Sequence, residues 1–495
     1  MTRLSRRSFL AASAAASAGL FLPGLARASG AMSLTATSRT LDIRGKAASV
    51  YGLLNTQGTP GLILDPGARF AVDLKNALDI ETLIHWHGQI PPNAQDGVPE
   101  MPAPMLKPGE SRGYDFAPRP GTHWMHAHIP DQEVGLLAAP LIVRSADDVA
   151  TDRQEVAMFL HDFSFTPPDQ VLATITSGAS MAGMGHDMGN MGGMSGMDMG
   201  NMQGMSGMKM GGMQMGGMSM GGMGAMDLND FDFDAYLAND RTLDDPDVVK
   251  VDKGGQILLR IINAAAATVF WIDTGVVSAS VVAVDGEAVQ PLPGNRFGIA
   301  MGQRLDLALT IPAEGGAFPI LALREGAVER TGIILATAGA SVVKLEGTGG
   351  AAPAFSGDMT QEASLRAVSP LPDRPATNQQ MLMLGGSMQP YVWTINGATW
   401  TDHQPVLAKS GERVEIMFHN MSMMSHPMHL HGHKFQVVDV GQGRFAGAVR
   451  DTVLVPPMGM VTVALDAGEA ASWMLHCHHM AHLATGMMTE FVVSA

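Results

Sequence analysis

Apolar residues fall along this chain in short runs, not in long amphipathic stretches. "GLILD" (61–65), "APLIVR" (139–144), "QILLRII" (256–262), "FQVVDV" (435–440), "TVLV" (452–455) and "EFVVS" (490–494) are rich in Val, Ile and Leu and are bounded by turn residues. Stretches with a helical period are rare, aromatics are few, and 58 Gly and 29 Pro punctuate the chain. This pattern predicts all-β domains of sandwich or barrel type. A length of 495 residues suffices for about three of them. "YLAND" (236–240) and "TINGAT" (394–399) read as equivalent strand-turn segments in successive domains.

Two segments break the strand pattern. Residues 1–28, "MTRLSRRSFLAASAAASAGLFLPGLARA", join Arg6 and Arg7 to an apolar run and a small-x-small cleavage site. They read as a twin-arginine export signal. A membrane anchor is disfavoured, because the run is short and broken by Pro23. No later stretch is long and apolar enough to span a bilayer, so a soluble periplasmic protein is expected. The second segment, residues 181–226, holds 17 Met and 16 Gly in 46 positions. It lacks the residues that build a core and is expected to be a disordered insertion. An ordinary linker would use Ser; thioethers are soft ligands that select Cu(I). Copper capture is the favoured reading, with His186, Asp187 and Asp198 as harder ligands. The following run of Asp227, Asp230, Asp232, Asp234, Asp240, Asp244, Asp245 and Asp247 is expected to be a solvated surface with strand edges.

The formal charge of −16, with no basic patch, excludes nucleic acid as a partner. An acidic surface steers cations and is also an ordinary solubility device. Cys477 is the single cysteine. In an oxidising compartment it has no internal disulfide partner, so it is expected to be shielded as a ligand or buried in a core.

The seventeen histidines are clustered: between residues 129 and 402 only His161 and His186 occur. Four His-x-His pairs stand at 85/87, 126/128, 429/431 and 476/478. On a strand each pair presents two imidazoles on one face. Eight imidazoles suit several metal ions, and imidazole binds copper, zinc or iron. If His476 and His478 face one way, Cys477 faces the other. Cys477, His482 and Met487, with a further imidazole for which His426 is the candidate, make up a blue-copper ligand set.

With "HWHG", "WMHAH", "HPMHLHGH" and "HCHHMAHLATGMM" in that order, the chain resembles the multicopper oxidases, the family of laccases and bacterial copper-resistance oxidases. The resemblance implies three cupredoxin-like Greek-key β-barrel domains and four copper ions. The expected layout is a signal at 1–28, a first domain at 29–148, a copper-free second domain at 149–365 carrying the insertion, and a third at 366–495. It implies a type 1 copper on His426, Cys477 and His482 with Met487 axial. It places a type 2 copper on His85 and His429, and a type 3 pair on His87, His126, His128, His431, His476 and His478. The trinuclear cluster is expected between the first and third domains. Asp96, in "NAQDG", matches the acid that the family places beside the cluster for proton supply. Where some relatives have a second acid after the last type 1 histidine, this chain has Leu483, so another group must serve. His123, His161, His403, His419, His433 and His479 are expected to be ordinary hydrogen-bonding, strand or surface residues.

The function implied is one-electron oxidation of Cu(I), with phenols accepted in vitro, coupled to reduction of dioxygen to water. A monomer without nucleic-acid or membrane partners is expected, acting in copper tolerance, with extra Cu(I) on the methionine tract. The alternatives are a general laccase, for which the tract has no use, and a copper-sequestering protein, which would not need the intact ligand set. Fe(II) oxidation would want a carboxylate near His426 or His482, and none is identifiable from sequence.

Overall fold

A computed structural model describes residues 31–177, 228, 230–355 and 359–495. The expectations for the export signal and for the 181–226 tract lie outside the described residues. No described helix is long and apolar enough to cross a membrane.

The strands form three successive pairs of sheets. In the first domain, Lys46–Asn55, Met32–Ile43, Phe70–Asn76 and Ser111–Phe116 face Leu62–Leu64, Ala138–Val143, Gly121–Ala127 and Ile84–His85. The second and third domains each pair a six-stranded with a five-stranded sheet. One wiring recurs three times. The opening strand of each domain runs parallel to a later one: Met32–Ile43 with Phe70–Asn76, Gln154–Phe163 with Gln256–Asn263, and Asn378–Met388 with Arg413–Asn420. Each domain encloses its own core, around Phe70 and Leu141 in the first, Leu259 and Ile320 in the second, and Phe418 and Leu475 in the third.

Burial follows the strand period where one face meets water. Phe70, Val72 and Leu74 are buried while Asp73 and Lys75 are exposed, as alternation requires. Gln256–Asn263 is instead buried from its second residue onward, because both its faces are covered. Its one charged residue, Arg260, is held by Asp306, Glu155 and Asp148 at 3.0, 2.9 and 3.1 Å.

The two strand-turn segments are equivalent. Ala235–Ala238 and Tyr391–Ile395 each pair antiparallel with their domain's opening strand. Each ends in two residues of positive φ, Asn239 and Asp240 in one and Asn396 and Gly397 in the other, the geometry of a tight hairpin turn. The tract therefore precedes a strand of the second domain. Its near flank, the helix Pro168–Thr176, buries Val171 and Ile175 in the third domain's core.

Candidate metal centres

The third domain draws together His426, which opens the strand His426–Leu430, Cys477, which ends Ser472–Cys477, and His482 on the short helix Met480–Ala484. The two imidazole Nδ1 atoms lie 3.1 Å apart, and Cys477 Sγ lies 3.7 Å from that of His426 and 3.6 Å from that of His482. Ligand bonds of about 2.0 Å to nitrogen and 2.3 Å to sulfur span a triangle of this size. All three residues and Met487 are buried, and the Cys477 amide donates to the Met487 carbonyl at 3.0 Å. Burial pushes the Cys477 thiol far up and both imidazoles far down. Neutral imidazoles have lone pairs to give, and only a bound cation would make the thiolate affordable here. The outer nitrogen of His426 donates to Ser422 Oγ at 2.8 Å, and Trp393 covers His482 at a ring distance of 4.1 Å.

The eight His-x-His imidazoles converge between the first and third domains. Two triples form, His87 with His126 and His478, and His128 with His431 and His476; His85 and His429 stand together beside His87. His476 Nε2 lies 3.3 Å from His128 Nε2 and 3.1 Å from His431 Nε2. The unused nitrogens are tied back: His85 Nδ1 donates to the Asp96 carbonyl at 2.9 Å, His429 Nδ1 to the Asp451 carbonyl at 2.8 Å, and His476 Nδ1 to the Cys477 carbonyl at 2.9 Å. His85 Nε2, His429 Nε2, His126 Nε2 and His87 Nδ1 are then left buried with no hydrogen-bond partner. Burial, reinforced by neighbouring imidazoles, holds His87, His126, His128, His429, His431 and His476 far below the usual range, and His478 falls to about 4. So many dry, neutral, converging lone pairs fit metal ions and little else.

Three carboxylates orient these rings, and only Asp96 was identified from sequence. Asp96 Oδ2 accepts from His431 Nδ1 at 2.8 Å, across the domain boundary. Asp451 reaches the other way and accepts from His87 Nε2 at 3.2 Å. The first domain thus steadies an imidazole of the third, and the third steadies one of the first. Arg304 of the second domain grips Asp451 through both Nη atoms, at 2.7 and 2.5 Å, and holds its carboxyl below the usual range. Glu133, on the helix Pro130–Val134, accepts from His126 Nδ1 at 2.8 Å, and its other oxygen lies 3.7 Å from His478 Nδ1. Burial raises Glu133 to about 7.

Comparison with known proteins agrees with this geometry. Multicopper oxidase profiles match residues 35–148, 214–340 and 373–495. The chain is 31% identical to multicopper oxidase MmcO of Mycobacterium tuberculosis over 478 residues, covering 92% of this chain and 86% of that one. This chain belongs to the multicopper oxidase family. It is 26% identical to copper resistance protein A of Escherichia coli, with 99% of each chain covered. Among solved structures, Fet3p, a multicopper oxidase that functions in iron import, superposes with a TM-score of 0.73 at 15% identity, over 93% of this chain and 90% of that one. The laccase of Botrytis aclada gives 0.72 at 21%, over 93% and 87%. These last two likenesses concern the fold, three cupredoxin-like domains.

In this multicopper oxidase the Asp-rich run is not all solvated surface. Asp230 is buried and accepts from the Tyr391 hydroxyl at 2.6 Å, and its Oδ2 lies 3.5 Å from the outer nitrogen of His482. It is the carboxylate beside the third-domain site that the sequence did not disclose, hidden among seven other aspartates. Asp227 lies outside the described residues. His479 also departs from expectation: it is buried, stacks on His482 at 3.9 Å, and neither ring nitrogen has a hydrogen-bond partner. Burial lowers it to about 3. His433 does hydrogen-bond, accepting from the Gly468 amide at 2.9 Å, and His403 donates to the Trp400 carbonyl at 2.7 Å. His123 is buried against the Pro120 carbonyl at 3.2 Å, and His161 is buried in its strand. Leu483 is buried near the boundary to the second domain, beside Ala266.

Proposed function

We propose that this enzyme oxidises Cu(I) and passes the electrons to dioxygen. His426, Cys477 and His482, with Met487 beside them, would hold the type 1 copper, His85 and His429 the type 2, and the two histidine triples the type 3 pair. Copper there would accept single electrons at the first centre and reduce dioxygen to water with four electrons at the second. Cys477 lies between His476 and His478 in the chain, so its backbone joins the two centres. Asp96 and Glu133 fix the ring orientation of His431 and His126, and Asp96 is assigned the proton supply. One chain carries both halves of the cluster and can work as a monomer. The export signal fits action in the periplasm, in copper tolerance.

The observation that carries the Cu(I) reading is where the methionine tract is tethered. Val171 and Ile175 before it lie in the third domain's core, on a helix that contacts Met480–Ala484, the helix of His482, and Asp230 after it stands 3.5 Å from His482. The described residues on both sides of a segment rich in soft ligands therefore belong to the third-domain side of the fold, where the proposed electron-accepting centre lies. Asp230 also offers a hard oxygen, which makes Fe(II) the second donor to try. The test is oxygen uptake by copper-loaded protein with Cu(I), Fe(II) or a phenol, for the intact chain and for a deletion of residues 181–226. Loss of Cu(I) oxidation with phenol oxidation spared or raised is expected. If deletion changes neither Cu(I) nor phenol oxidation, a general laccase is the better reading; if only Fe(II) turnover is fast, the donor is iron.

A further inference from the structure

The outer face of the third domain's six-stranded sheet carries a row of side chains that its fold does not require. Met383 on Asn378–Met388 pairs with His419 on Arg413–Asn420, and His419 pairs with Met460 on Met460–Asp466. Residues paired across strands point to one side, and their exposure agrees. Met383 is 43% and Met460 44% exposed with His419 half-buried, while their neighbours Leu382, Leu384, Phe418 and Val461 fill the core. The next rung is Met381, Met417 and Thr462.

The row has a direction. At one end Met421, Met423 and Met458 stand exposed in loops, and the Met458 amide donates to the carbonyl of Ser422, whose hydroxyl meets His426. Two strand positions back the same face turns polar, with Gln379 and Arg444 on Glu415. The thioethers are confined to the end nearest the type 1 ligands.

We propose that Met383, His419 and Met460 form a surface site for Cu(I). Neighbouring strands lie about 4.7–4.9 Å apart, and methionine's three rotatable bonds let sulfur atoms from both flanks meet one ion at the central imidazole. Two thioethers and an imidazole are a soft set that selects Cu(I) over harder cations, and no carboxylate belongs to the row. An apolar docking face would gain nothing from an imidazole at its centre. Among the described residues no side chain hydrogen-bonds the His419 ring, so its lone pair is available. The site's existence does not depend on the Cu(I) oxidase reading; only its use as a donor reservoir does.

The test uses full-length, copper-loaded protein and Ag(I), a redox-silent stand-in for Cu(I). Silver is added beyond what the methionine tract takes up. Methionine oxidation by a peroxide pulse is then read peptide by peptide in a mass spectrometer, with Met101 of the first domain as reference. Bound silver is expected to slow oxidation of Met383 and Met460 together, by about fivefold or more once the site is saturated, and to leave Met101 unaffected. His419→Leu, and the milder His419→Gln, should abolish that protection. Oxidation rates indifferent to silver, or protection that survives both His419 variants, overturn the proposal; the former is what a merely apolar patch would give, the latter what thioethers binding without the imidazole would give. Oxygen uptake with Cu(I) is a separate readout, so failure of this site and failure of the oxidase reading cannot be confused.

Discussion

The first and third domains are built alike around their His-x-His strands, yet only the third sets a cysteine against two further imidazoles. His85 pairs with His126 as His429 pairs with His476. The Ala127 amide donates to the Leu137 carbonyl at 2.9 Å as that of Cys477 does to Met487. Leu136 and Gly486 both take positive φ at the bend between. This register sets Thr82 opposite His426, Ala127 opposite Cys477, Gln132 opposite His482 and Leu137 opposite Met487. In the first domain the Thr82 hydroxyl donates to Gln132 Oε1 at 2.6 Å and closes the space with a neutral hydrogen bond. In the third, two imidazoles and a sulfur face one another with lone pairs inward. One backbone hosts a satisfied core or a set of residues that could hold a metal according to four side chains.

The contrast can be broken most completely by Cys477→Ser. Loss of the thiolate-to-copper absorption and of oxygen uptake with every donor is expected, with the first domain's histidines still in place. His482→Gln, which writes the first domain's residue into the third, should do the same to the absorption.

The oriented carboxylates sharpen the comparison at the next level. Asp451 is clamped by a buried arginine from the second domain, whereas Asp96 has none. Removing one partner of a buried ion pair costs about 3–5 kcal/mol, so Arg304→Met should lower the urea midpoint by far more than Asp96→Asn does. Asp96→Asn and Glu133→Gln should instead act on the metal. Outer partners of ligating imidazoles are worth roughly 10–100-fold in affinity, to be read as faster copper loss to a chelator. The smallest effect is expected at the first domain's closed site. Thr82→Val leaves Gln132 Oε1 short of a donor and costs about 1–3 kcal/mol, measurable by denaturant unfolding, without changing the copper content.

Much of the site could be read from sequence because its information is local. His-x-His within a strand fixes two imidazoles on one face whatever the rest of the fold does, and the intervening Cys477 must face away. The all-β class was legible for the same reason, as short β-branched runs between turns. Asp451, Glu133, Arg304 and Asp230 were not legible. Asp451 meets His87 across 364 residues, and Asp230 reaches Tyr391 across 161. Glu133 sits only seven residues from His126, but a short helix, not a strand period, aims it. A charged residue in an acidic run has no local mark that separates buried from solvated.

The sequence alone therefore determined the strands, the histidine faces, the lone buried thiol and the chemistry these groups can perform, since each depends on residue type and a two-residue period. Tertiary structure alone decided which imidazoles share a point in space, that the second domain's Arg304 anchors Asp451 beside them, and that Asp230 of the Asp-rich run lies against His482. Those facts depend on how three separately folded cores pack together, and no short-range period encodes that packing.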